Sequence, residues 1–458
     1  MKHSLRISAF TLLIAGSASA QSMMAPSGSS PPPWIANRGV GQGMGIRLGD
    51  FELHPGISGE AGYDSNWFQR ANSQIERDTV GPVADALRFR VTPSLSFSTL
   101  DQRTNLAPGQ KPLPRVVQFH LDSYFNYNEL VGLKSGPNTV GNDRNFQGAA
   151  GANLEFLRGR SWSGNVEAGY AYIFEPANVA GFIGSNDRHV VNVGAGARFA
   201  PGGGAFSWDV LTYRTSLTYF ATSGFNVNDN GDHSFSTSGQ WRFLPKTAFV
   251  YDGTFGLIRY NNPGYNNGID TGARIGLNGL LLTRLGVLVM GGWAVGFRDN
   301  DNGLPRAYDD FVAKAELKYY FGPADNLKPG TATPELSSVA IGYDRSFENS
   351  YLGDFFQKDR GYGKLSVVAG QRWVMSLDGG ASSIHYPDLL FDGNQIDSFG
   401  EVRIDAQGFV EYRPIATVGI NVTLRYDQNV SRVLNGDDFS DDLSFNRFRG
   451  FLGVRWFM

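Results

Sequence analysis

The C-terminal stretch Phe445–Met458 alternates strictly. Its even positions are Phe448, Gly450, Leu452, Val454, Trp456 and Met458, whereas Arg447, Arg449 and Arg455 fall among the odd ones. A period of two with one apolar face predicts a β-strand. The same pattern recurs upstream. Residues 86–99 set Leu87, Phe89, Val91, Leu95 and Phe97 against Arg88, Arg90, Thr92, Ser94 and Ser96. Residues 401–413 set Val402, Ile404, Val410 and Tyr412 against Glu401, Arg403, Asp405, Glu411 and Arg413, and residues 417–427 set Ile420, Val422 and Leu424 against Asn421, Thr423, Arg425 and Asp427. A soluble sandwich alternates too, so length decides. Ordinary strands run about 5–6 residues, and a tilted membrane strand needs about 9–11.

Read this way, strands are expected near 51–63, 85–99, 115–128, 144–157, 161–174, 187–200, 205–220, 232–244, 246–260, 268–283, 284–298, 309–322, 335–350, 359–370, 372–386, 398–414, 415–429 and 445–458. The expected fold is all-β: a closed antiparallel transmembrane barrel of about eighteen strands, with sixteen as the alternative. Closure follows from hydrogen bonding. In hydrocarbon every unpaired backbone group costs several kcal/mol, so only helices and closed barrels can span. The stretch Gly279–Phe297 has the hydropathy of a transmembrane helix, yet it is rich in glycine and broken by Thr283-Arg284. Glycine costs about 1 kcal/mol in a helix relative to alanine, so a hairpin turning at Thr283-Arg284 is expected instead.

The connections alternate in length. Short turns are expected at Arg158–Arg160, Leu244-Pro245, Thr283-Arg284, Gly370-Gln371 and Pro414, with longer polar loops after the odd-numbered strands. That is the asymmetry of short periplasmic turns against longer outer loops. Asp101–Pro114 and Pro323–Pro334 are long, Pro-rich exceptions on the turn side. No loop is long enough to be read as an inward-folding one, and the chain is expected to be a monomer.

Residues 1–20 combine Lys2, His3 and Arg6 with an apolar run and Ala18-Ser19-Ala20. That is a secretory signal peptide, cleaved after Ala20, and the expected destination is the bacterial outer membrane. Residues 21–45 are rich in Ser, Pro and Gly and read as a flexible periplasmic leader; residues 46–458 form the barrel. Composition agrees. Aromatics make up 13% with 58 glycines and no cysteine, which suits aromatic girdles and a curved sheet. The net charge of −3 offers no basic patch for nucleic acid.

The inward faces carry the candidate chemistry. The candidate lumen-lining residues are Arg88, Arg90, His120, Asp122, Arg198, Arg242, Arg274, Lys318, Glu401, Arg403, Asp405, Arg413, Arg425, Arg447, Arg449 and Arg455. Arg214, Glu167, Asp252, Glu316, Asp344, Asp378, Glu411 and Asp427 join them. Eighteen strands enclose more space than side chains fill, so water or a plug is expected inside. Each charge is either part of a solute path or part of an ion-pair network bracing the wall. Tyr320, Phe409, Phe451 and Phe457 could stack on sugar faces or simply pack. Leu452, Val454, Trp456, Phe457 and Met458 form the candidate lipid-facing assembly signal for the barrel-assembly machinery. The runs Asn226–Asp232, Asp299–Gly303 and Asp437–Asp442 are oxygen-rich enough for a hard cation, but solvated loops explain them as well. No cofactor or metal site is expected. His120 with Asp122 is the one histidine–carboxylate pair on a strand face, and no G-x-S-x-G turn, zinc-spaced pair or phosphate loop is present; an enzyme is not expected.

Gly59-Glu-Ala-Gly-Tyr-Asp-Ser-Asn-Trp-Phe68 and Leu87-Arg-Phe-Arg-Val-Thr-Pro-Ser-Leu-Ser-Phe-Ser98 resemble the start of the β-barrel porin 2 family, over about forty residues. The resemblance implies an outer-membrane barrel and, because members are associated with exopolysaccharide gene clusters, an exit path for polymer with a periplasmic export partner. The functional expectations are therefore polysaccharide export or passive diffusion of small solutes. A structural or adhesive barrel with a plugged lumen is the alternative, and a barrel hydrolase comes last.

Overall fold

The computed structural model describes residues 45–71, 83–100, 116–133, 140, 144–174, 187–202, 205–221, 226–262, 267–299, 307–321, 337–349, 355–370, 372–391, 394–396, 398–432 and 444–458. The expected signal peptide, the leader up to residue 44, both Pro-rich turns, residues 300–303 and the 437–442 run lie outside them.

Eighteen long strands form the wall: β1 (Phe51–Asp64), β2 (Ala86–Thr99), β3 (Val117–Gly132), β4 (Asn145–Phe156), β5 (Trp162–Ile173), β6 (Arg188–Phe199), β7 (Phe206–Phe220), β8 (Asn230–Leu244), β9 (Thr247–Tyr260), β10 (Gly268–Leu280), β11 (Leu285–Arg298), β12 (Ala307–Tyr320), β13 (Ser338–Glu348), β14 (Phe356–Ala369), β15 (Trp373–Tyr386), β16 (Phe399–Ile415), β17 (Val418–Arg432) and β18 (Phe445–Phe457). Each pairs antiparallel with its sequence neighbour, and β18 returns to β1. The sheet is therefore a closed antiparallel barrel. The closing register runs from Gly56 opposite Phe457 to Asp64 opposite Arg449. It is tied off where Met458 N–H donates to the Pro55 carbonyl and His54 Nδ1 bonds the Met458 carbonyl at 2.8 Å. A short strand, Ile46–Leu48, folds back on the start of β1, and Leu389–Phe391 pairs with Asn394–Ile396 in the loop after β15.

The stretch that imitates a membrane helix is a hairpin. β10 and β11 pair along their whole length, from Gly268 opposite Arg298 to Leu280 opposite Gly286, and the chain turns at Leu281–Arg284. At Gly276 and Gly292 any Cβ would collide with the carbonyl oxygens of Val289 and Ala273 on the paired strand. The glycines that spoil a helix are the ones this close backbone approach requires.

Alternation sorts the two surfaces. Ile275, Ile341 and Leu452 on the outer face are each 60% exposed. Such an apolar belt costs about 25 cal/mol per Å² in water and is satisfied only by lipid. Among the described residues no helix is long and apolar enough to cross a membrane; the crossing is made by strands. Connections after even-numbered strands form one end, called here the turn end. Those after odd-numbered strands form the loop end.

Candidate channel interior

The interior is not uniform. One sector, lined by β16, β17, β18, β1, β2 and β3, is packed solid with polar side chains. Asp64 is wholly buried between Arg447, which grips it with Nε at 2.8 Å and Nη2 at 2.5 Å, and Arg88, whose Nη1 donates at 3.2 Å. Asp427 takes Arg449 at 2.8 Å and Arg425 at 3.0 Å. Glu411 takes Arg455 through both its oxygens and Arg413 at 2.7 Å, and Glu60 takes Arg90 at 2.7 Å. These carboxylates share a strand with their arginines or come from strands one or two positions away in the sheet. Alternation thus sends both partners to the same side.

The arginines are also roofed by aromatics. Arg88 and Arg447 lie 4.7 and 5.5 Å from the Trp67 ring, Arg88 and Arg90 flank Phe451, and Arg413 and Arg455 flank Phe457 at 5.2 and 4.2 Å. Cation–π contacts of this sort strengthen once desolvated. They also answer the question of sugar stacking: Phe451 and Phe457 spend their faces on guanidinium groups. Phe409 is buried as well, packed against Val374 and Tyr124. Only Tyr320, beside Lys318, keeps a partly accessible ring. Phe457, grouped by sequence with the lipid-facing assembly signal, points inward; Leu452, Val454, Trp456 and Met458 point outward.

The Phe409–Tyr124 contact shapes the lumen. These residues sit on β16 and β3, with β17, β18, β1 and β2 between them along the wall. A contact across that span means the wall is pinched there, and the pinch closes off the packed sector from the rest.

Around the remaining strands most inward charges are part exposed, although Arg188 and Arg298 at the loop end are buried. Arg198 pairs with Asp209 at 3.8 Å, Arg214 with Glu167 at 2.6 Å and Arg274 with Asp252 at 3.0 Å, their side chains from 15% to 45% exposed. Arg360 bridges to Asp405 at 2.6 Å, Lys364 to Asp378 at 3.6 Å, and Tyr362 donates to Glu316 at 2.8 Å. Arg242 and Lys318 belong to this open part near the turn end, and His120 contacts Asp122 at 2.5 Å on β3. Glu401 is buried near the loop end of β16, next to Arg403 on the same inward face.

The loop-end mouth holds something the sequence did not announce. Residues 65–71 fold into the barrel rather than away from it, contrary to the expectation that no loop turns inward. Asn66 is the pivot. Its Nδ2 donates to the carbonyls of Arg70 and Asn446, and its Oδ1 accepts from Arg70 N–H at 2.9 Å. Trp67 then drops into a cluster with Phe68, Ala84, Ala86, Leu130, Val140 and Phe174. The motif that carries the family resemblance is therefore a mouth-narrowing segment, whereas its Tyr63 stays on the outer face. Asp64, one residue beyond the expected end of the first strand, and Glu60 were not among the sequence candidates. Their inward parity on β1 is the signal that would have found them.

Of the cation-capable loops, Asn226–Asp232 resolves into a short 3-10 turn and the start of β8, with Asp229 Oδ1 accepting from Phe220 N–H. Among the described residues no group of His, Asp or Glu could hold a metal ion.

Solved structures with a similar course include the Pseudomonas aeruginosa outer membrane protein OpdK (11% identity over 89% of this chain and 99% of that one, TM-score 0.46). P. aeruginosa OpdL (10%, 90% and 99%, 0.43) and the P. aeruginosa siderophore receptor PirA (10%, 90% and 81%, 0.42) are others. At such identities nothing about cargo is carried over. No protein-family model and no curated protein matches the chain, so the resemblance to the β-barrel porin 2 family rests on its two motifs.

Proposed function

We propose that this barrel is a passive outer-membrane channel for small hydrophilic solutes, and that the solutes move along the half of the lumen lined by β5 to β15. The observation that carries this reading is the contrast between the halves: Arg198, Arg214, Lys364 and Asp378 keep water-accessible side chains on one side, while Arg88, Arg447 and Asp64 are sealed on the other. Alternating opposite charges along the open half hold water and screen one another, a lining suited to polar solutes. Export of a polysaccharide is the less favoured version. A polymer path needs width and free aromatic faces, whereas here residues 65–71 narrow the mouth and three of the four candidate aromatics are covered. Catalysis is not part of the reading. A monomer is the state proposed.

Planar bilayers test the proposal. Purified protein should give discrete, ohmic openings, and small charged sugars or amino acids should swell loaded proteoliposomes. Absence of any conductance would refute the open channel and favour the plugged, structural barrel. Loss of surface polysaccharide on gene deletion, with normal solute uptake, would restore polymer export.

A further inference from the structure

The two rims of the barrel differ in chemistry, and the difference identifies a lipid partner. Towards the loop end four outward aromatics are tied to acids: Tyr172 donates to Asp187 at 3.1 Å, Trp293 to Asp309, Tyr343 to Asp359 and Tyr127 to Glu129. The exposed Arg144 there is itself engaged by Glu129 at 2.9 Å. At the turn end the girdle is unaccompanied aromatic and aliphatic surface, with Trp162 and Trp241 more than half exposed and Leu281 and Leu282 the most exposed large apolar residues of the described chain.

Directly beyond that girdle stand cations. Arg158 and Arg160 head the turn after β4, Lys246 the one after β8, Arg284 the one after β10 and Arg372 the one after β14, all exposed. Among the described residues, the turns 157–161, 200–202, 245–246, 281–284 and 416–417 contain no Asp or Glu. Arg158 is held by Gln118 and lies 3.7 Å from Glu155 on β4, whereas Arg160, Arg284 and Arg372 have no ion-pair partner among the described residues. A ring of apolar side chains in the hydrocarbon with basic heads just outside it is the arrangement in which Lys and Arg reach headgroup phosphates.

We propose that the turn-end rim is a docking surface for anionic phospholipid headgroups, with Arg160, Arg284 and Arg372 as its phosphate contacts and Leu281-Leu282 as its acyl-chain anchor. The proposal rests on the membrane-barrel reading and not on solute transport. A basic residue at a membrane surface enriches anionic lipid by about fivefold, so three of them recruit an annulus visibly different from bulk.

The turn-end tryptophans report it. Full-length protein is reconstituted in vesicles of phosphatidylcholine and phosphatidylglycerol in which one or the other carries brominated chains, at equal mole fractions. Trp34 lies outside the described residues, Trp67 is buried inside the barrel and Trp293 sits at the other rim, whereas Trp162, Trp208, Trp241, Trp373 and Trp456 lie at the turn end and report a headgroup-dependent change there. Brominated phosphatidylglycerol should quench several-fold more than brominated phosphatidylcholine. The excess should vanish in the R160Q/R284Q/R372Q variant and at high salt. Equal quenching by both lipids, or an excess that survives in the variant, overturns the proposal. Quenching by brominated phosphatidylcholine that persists or rises in the variant shows that the variant is inserted. If neither lipid quenches, the membrane-barrel reading itself fails.

Discussion

Asp64 holds two buried arginines, and replacing it tests whether the packed sector is a charge-balanced core. In Asp64→Asn the shape is kept but the charge is lost. Arg447 and Arg88 are 0% and 2% exposed, so neither can turn to water without moving Trp67, which lies over both. Three charge-assisted hydrogen bonds end on the Asp64 carboxylate. Removing one member of a buried ion pair costs about 3–5 kcal/mol, mostly as the penalty of the orphaned partner. The high end of that range is expected here because two cations share one anion.

The assay is reversible guanidinium or urea unfolding of the barrel in lipid vesicles, followed by tryptophan emission. The companion Arg447→Met removes an orphan. In the double variant the losses should be sub-additive by about 1–3 kcal/mol, the coupling expected of residues in contact. Limited proteolysis gives a second readout, because loosened Arg88 and Arg447 release Trp67 and residues 65–71 should become cleavable. A loss below about 1 kcal/mol for Asp64→Asn, or strictly additive losses in the double variant, would refute the buried network and place these groups in water.

Three further outcomes follow from the same geometry. Ile341→Arg, on the outward face and 60% exposed, should cost about 2–4 kcal/mol of membrane folding stability, while Lys364→Leu on the inward face should cost under about 1 kcal/mol; equal effects in vesicle unfolding would contradict the assigned faces. Phe409→Ala removes the contact with Tyr124, should destabilise by about 3–5 kcal/mol and should raise single-channel conductance, and an unchanged conductance would show that the pinch does not limit the path. Trp456→Asp, outward, should block assembly as judged by loss of the heat-modifiable band, while Phe457→Asp, which faces Arg413 and Arg455, should still assemble; the reverse order would invert the face assignment of the last strand.

The barrel was legible because its signal is repeated and long. A period of two held over twelve to seventeen residues in most strands leaves little room for another element, and each turn reset the parity with a Gly, Pro or charged break. Placement of Arg88, Arg90, Arg447, Arg449 and Arg455 on the inward face followed from parity alone. Phe457 was legible by the same rule, since it shares odd parity with Arg455. Grouping it with the lipid-facing assembly signal conflicts with that parity, and its burial beside Arg413 and Arg455 places it inside. Residues 65–71 were not legible. What turns them inward is Asn66 bonding the Asn446 carbonyl, a contact across 380 residues, and nothing local in Ser65–Phe68 specifies it.

Parity gives direction but not depth, and this is where the interior departs from its sequence. Arg88 and Arg198 have the same inward placement and the same alternating neighbours, yet one is sealed and the other is open. The difference lies in the curvature of the wall around each. β17, β18, β1 and β2 are drawn together between Phe409 and Tyr124, so side chains that would line an aqueous space in a round barrel meet one another instead. Once they meet, every arginine there needs a carboxylate, because an unpaired buried charge costs far more than a paired one. Asp64, Glu60, Glu411 and Asp427 supply them. On the open side most of the same residue types are part exposed, where an ion pair contributes about 0–1 kcal/mol. The pinch therefore divides one continuous pattern of alternating strands into a tightly packed part and a more open part, the one to which the proposed solute path is assigned.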